Sequence, residues 1–127
     1  MHSTNYSDTL ITVSGDCPVA VATPPGKSGT VAERQFVLLS AAPYAMTSDE
    51  LLLAVENDRK GPVTADAFFA RSQACLRASP LVKRYGYGLH HDAEGRVALV
   101  AMDDADYARL LADPMIAKRP GMRNARG

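Results

Sequence analysis

The chain has no tryptophan and only two cysteines, Cys17 and Cys75, among its 127 residues. Two thiols cannot build the disulfide framework of a small secreted domain, so a reducing, cytoplasmic compartment is expected. Net charge is missing too, because fourteen basic and fourteen acidic side chains cancel. That balance argues against nucleic acid or an anionic membrane surface as a partner. Long apolar runs are absent. The longest, Val97 to Met102, is far too short to cross a bilayer. The opening MHSTNYSDTLITVSGD has no basic region ahead of an apolar one, and Asp8 and Asp16 bracket a stretch too short for a secretory signal. No leader is expected.

What the chain does have is ordinary globular composition, 46% apolar and 22% charged. A single domain of this size buries about two thirds of its unfolded surface and needs neither a metal nor a disulfide to hold it. Charge is divided unevenly along it. Residues 1–70 hold four basic side chains (Lys27, Arg34, Arg59, Lys60) against eight acidic, and the remainder holds ten against six. From Arg71 to His91 there are Arg71, Arg77, Lys83 and Arg84 with no carboxylate. Residues 115–127, with Lys118, Arg119, Arg123, Arg126, Pro120, Gly121 and Gly127, read as a basic, disordered extension beyond a domain at 1–114.

Alternation over Thr9 to Val13 predicts a strand, followed by a loop broken by Pro18, Pro24, Pro25, Gly26 and Gly29. Behind Thr30, Ala32, Phe36 and Leu39 fall at helical spacing. Thr47 and Glu50 have capping-box spacing ahead of Leu51, Leu52 and Val55, with Arg59 and Lys60 before the stop at Gly61-Pro62. A third helix is expected to start after Thr64 and to end before Pro80. Tyr85 to His91 and Arg96 to Met102 form the clearest hairpin, turning at Asp92-Ala93-Glu94-Gly95. A four-residue loop would pair His91 with Arg96, Leu89 with Ala98 and Tyr87 with Val100. One face would then be Tyr85, Tyr87, Leu89, Ala98, Val100 and Met102, and Gly86 and Gly88 would leave a trough on the other. Asp103 or Asp104 can cap a last helix over Ala105 to Ala112, with Tyr107, Leu110 and Leu111 as its stripe.

These elements amount to an α+β fold, a single compact domain whose small antiparallel sheet, with its hairpin in the C-terminal half, is covered by three or four helices. HSTNYSDTLITV, DCPV, PYAMTSDELLLAV, CLRASPLVKRYGYGLHHDAEGRVAL and DADYARLL resemble a family of small microbial proteins described only as a domain of unknown function. The most specific piece is CLRASPL-x-KRYGYG-x-H, and the resemblance implies no catalytic or binding residues.

Three constellations bear on chemistry. Gly26-Lys27-Ser28 imitates a phosphate loop, but Val21 stands where a Walker motif needs glycine, so a flexible connector is the plainer reading. Cys75 with His90 is the minimum for a thiolate nucleophile and makes a small Cys/His enzyme the rival function. Cys17, Cys75, His90 and His91 lack metal-site spacing, and neighbouring strand histidines point to opposite faces, so no metal and no cofactor are expected. The richest segment supplies Arg77, Ser79, Lys83, Arg84, Gly86, Gly88 and His90: cations, a hydroxyl and glycines that let main-chain amides approach a ligand. It points to a binding or accessory module for a small anionic ligand. A purely structural role, as in a homodimer, is the third class.

Overall fold

The computed structural model describes residues 3–125. In chain order they form β1 (Thr9–Thr12), α1 (Val31–Ala41), α2 (Ser48–Lys60), α3 (Ala65–Phe69), a single 3-10 turn (Leu76–Ala78), α4 (Pro80–Lys83), β2 (Tyr87–His91), β3 (Val97–Ala101), α5 (Ala105–Ala112) and β4 (Ala117–Pro120). The result is an α+β domain with one four-stranded sheet in the order β3-β2-β1-β4. Its β1, β2 and β3 are antiparallel, whereas β4 runs parallel to β1, so the sheet is mixed rather than purely antiparallel. Among the described residues no helix is long and apolar enough to cross a membrane.

Local chemistry sets the helix ends. Thr30 caps α1 by accepting from the Glu33 amide. Thr47 and Glu50 close a complete capping box on α2, and Asp104 caps α5. Pro80 does not terminate a long third helix. That helix stops at Phe69, and Pro80 occupies the first turn of α4, where its missing amide hydrogen costs nothing and Ser79 supplies the cap.

The hairpin register differs by one residue from the four-residue loop. Gly95 adopts φ 78° and its amide donates to the Asp92 carbonyl at 3.0 Å, while the Asp92 amide donates to Arg96 at 2.9 Å. This is a type I turn followed by a bulge, which adds one residue to the second strand. His91 therefore pairs with Val97, Leu89 with Leu99 and Tyr87 with Ala101. A one-residue slip exchanges the faces of β3. Tyr87, Leu89, Val97, Leu99 and Ala101 join Ile11 in the main core beneath α1, α2 and α4, and Ala98 and Val100 turn to the opposite face. There Leu10, Val100 and Leu110 form a second, smaller core with Tyr107 and Ile116, while Leu111 stays exposed.

Residues 115–125 are not an extension. Beyond β4, the Gly121 amide donates to the Thr12 carbonyl at 2.8 Å and the Met122 amide to Arg77 at 2.7 Å. Ser14 Oγ donates to Met122 O at 2.6 Å, and Asp16 accepts from the Asn124 and Ala125 amides. Residues 126 and 127, the end of the expected tail, lie outside the described residues.

Candidate functional site

The trough expected over Gly86 and Gly88 is filled by protein. A Cβ at Gly88 would stand 2.6 Å from Tyr107 Cε2, and one at Gly86 would stand 2.9 Å from Met102 Sδ and 3.1 Å from Val19 Cγ2. The glycines make room for α5 and the 17–24 loop, and their main chain is closed to a ligand.

The remaining members of the segment separate. Ser79 is buried and donates to Gln35 Oε1 at 2.6 Å, which makes it a structural link between α4 and α1. Arg77 donates through Nε to the Pro120 carbonyl at 2.7 Å and so ties down β4. His90 lies on the sheet face opposite His91, with its Nδ1 2.8 Å from the Tyr44 hydroxyl. Lys83 and Arg84, by contrast, share a cavity.

That cavity has a volume of about 320 Å³ and sits where the start of α1 meets the end of α4. Lys27 joins Lys83 and Arg84 on its polar side, and Val31, Ala32, Pro80 and Tyr85 give it an apolar wall. No lining residue is acidic, and among the described residues none of the three cations forms an ion pair. Lys27 is carried there by the loop that imitates a phosphate-binding motif. Gly29, at φ 81°, turns the chain so that Thr30 Oγ1 can donate to the Lys27 carbonyl at 2.9 Å while also capping α1. The cavity thus combines three positive side chains with the positive end of an eleven-residue helix. Arg84 Nε lies 3.4 Å from Asn124 Oδ1, and Asn124 also donates to the Lys83 carbonyl at 2.7 Å, so the C-terminal segment braces this side. Sequence reasoning found the Gly-Lys-Ser string and the α1 cap but had no signal that α1 begins against α4.

Cys75 and His90 are not brought together. Cys75 Sγ sits 3.4 Å from the Tyr6 hydroxyl, and the Tyr6 ring packs edge-on against His91 with centroids 5.5 Å apart. Burial and the Cys75 hydrogen bond raise the Tyr6 pKa, and burial lowers His91 to about 4. Among the described residues no three His, Cys, Asp or Glu side chains are grouped as metal ligands.

A model of a family of unknown function, DUF6157, matches residues 1–127, and the chain belongs to that family. No curated protein and no solved structure matches it.

Proposed function

We propose that this member of the family is a binding module for a small anion with an apolar or aromatic body. The observation that carries the reading is the meeting of Lys27 with the adjacent Lys83 and Arg84, from a distant part of the chain, on one cavity lined by no carboxylate. Unpaired cations that line one cavity repel, and an anionic ligand relieves that repulsion. The guanidinium of Arg84 can hold two oxygens at once, the lysines add charge, and Tyr85 and Pro80 offer a surface to the body of the ligand.

Thermal unfolding with phenyl phosphate and with benzoate tests this. At a concentration of 100 times its dissociation constant a ligand stabilises by about 2.7 kcal/mol. Phenyl phosphate should raise the midpoint more than benzoate, and Lys27→Gln or Arg84→Gln should remove most of the rise. Both side chains are exposed, so neither change should disturb the fold. Equal midpoints with and without the phosphate ester at low salt, or a shift that survives both substitutions, would reject the reading.

A further inference from the structure

The second face of the sheet holds a cavity that the anion reading does not use. It encloses about 240 Å³ between β3, α5 and the Pro43-Tyr44 corner. Its floor is aliphatic, made by Ala98, Val100 and Leu110. The hairpin bulge creates that floor, because it sets the small Ala98 directly opposite His90 on the face the cavity occupies.

Two walls differ in character. On one side the Tyr44 hydroxyl and His90 Nδ1, 2.8 Å apart, form an uncharged donor-acceptor pair. Tyr44 reaches round the sheet edge with φ 57°, and its amide donates to the Val97 carbonyl at 3.0 Å. Desolvation holds the His90 pKa below the usual imidazole value, so the pair adds no net charge at neutral pH. On the other side α5 presents both signs. Arg109 Nη1 is 3.1 Å from Asp106 Oδ1, and Asp104 lies beside them with one oxygen accepting from the Asp106 amide at 2.9 Å.

We infer that this cavity binds a small zwitterion of the α-amino-acid type, its carboxylate toward Arg109, its ammonium toward Asp104 and Asp106, and its short side chain on the Ala98 and Val100 floor. A simple anion entering here would meet two carboxylates as well as the guanidinium. A simple cation would meet Arg109. A molecule bearing both charges a few bonds apart satisfies the ion-pair wall, and the His90–Tyr44 pair offers further hydrogen bonds without charge.

The test is an NMR titration that follows the His90 imidazole and Tyr44 ring signals. L-alanine is the probe, with N-acetyl-L-alanine and L-alanine methyl ester as forms in which one charge is blocked. Only the free amino acid should shift both sets of signals. Arg109→Gln and Asp106→Asn should each weaken binding at least about tenfold, the loss that follows removal of one charged hydrogen bond. Both side chains are largely exposed, at 73% and 58%, so these variants should fold as the parent does. Shifts of equal size from a blocked form would show a cavity that recognises one charge only, and silence from L-alanine at tens of millimolar would show no site. Either result overturns the inference, and neither depends on the phosphate experiment.

Discussion

Gly88 and Tyr107 share one space. The Cβ that any other residue would carry at position 88 falls 2.6 Å from Cε2 of the tyrosine and 3.1 Å from the Ile11 carbonyl oxygen. The phenol hydroxyl, meanwhile, accepts from the Val13 amide at 3.0 Å, so the ring cannot simply swing away. Gly88→Ala should therefore destabilise by about 1–3 kcal/mol, the usual cost of overpacking. Tyr107→Leu alone should also destabilise, because it removes the hydroxyl and part of the second core. Combining the two should cost less than the sum of the singles, and urea midpoints for the four proteins would measure that coupling. Additive losses would mean the tyrosine is not what the glycine accommodates.

His91 gives stability a pH dependence in acid. It is fully buried, its Nε2 has no hydrogen-bond partner among the described residues, and burial lowers its pKa to about 4 from an ordinary 6.5. Between those values the unfolded chain binds a proton that the folded chain does not. Stability from this group is complete above pH 6.5 and is lost as pH falls toward 4, an effect on the order of 3 kcal/mol. His90, lowered in the same direction, adds to the slope. His91→Leu should flatten urea stability across this window, leaving the smaller contribution of His90. An unchanged slope in that variant would show that His91 is protonated within the fold.

The parts of this fold that are legible in the sequence are those decided by neighbours along the chain. Thr47 with Glu50 and Asp104 ahead of Ala105 cap their own helices, so α2 and α5 begin where side-chain chemistry alone puts them. The α+β class follows from the same local signals. The hairpin register does not, because Gly95 suits either a plain four-residue turn or a turn with a bulge, and only packing chooses between them. In β4 the signal is weaker still. Ala117-Lys118-Arg119-Pro120 has no apolar alternation, and the strand forms through main-chain pairing with β1 at the sheet edge. The candidate site divides in the same way. Lys83 and Arg84 stand out as cations in a stretch without acid, but their meeting with Lys27 depends on α1 docking against α4.

Removing the C-terminal segment should therefore be costly. Gly121 packs so closely that a Cβ would stand 2.8 Å from Ser14 Oγ and 2.9 Å from both Thr12 O and Val82 Cγ2. Truncation after Pro114 exposes one edge of β1 and leaves Ser14 Oγ and the Arg77 carbonyl without their Met122 partners. A loss of more than about 2 kcal/mol is expected, since each buried polar group stripped of its partner costs about 1–3 kcal/mol. Asp16→Asn should do less, loosening only the Asn124 and Ala125 contacts. Chemical denaturation of the truncated chain checks this, and a midpoint within error of the full chain would show that the strand contributes pairing without stability.

Gly95 makes the turn that this register uses, and the register sets the floor of the cavity beside His90. The Gly95 φ of 78° lies in the left-handed region, and a Cβ there would approach the Tyr6 carbonyl oxygen to 2.9 Å. Gly95→Ala thus meets conformational strain of about 1–2 kcal/mol and a steric contact besides. One escape would be to lose the bulge and slide the second strand by a residue. That slide would send Val97, Leu99 and Ala101 out of the main core and Ala98 and Val100 into it, exchanging three packed side chains for two smaller or unmatched ones. The strained register should therefore persist. Gly95→Ala is expected to lower the urea midpoint while amide exchange still shows the Asp92–Arg96 and Gly86–Met102 hydrogen bonds protected. Gly95→Asn should fall between parent and alanine, because asparagine tolerates left-handed backbone better than alanine does. Cross-strand contacts linking Leu89 to Ala98 in the alanine variant would instead show that the turn yields before the core, and that the position of Ala98 opposite His90 is held by this one glycine.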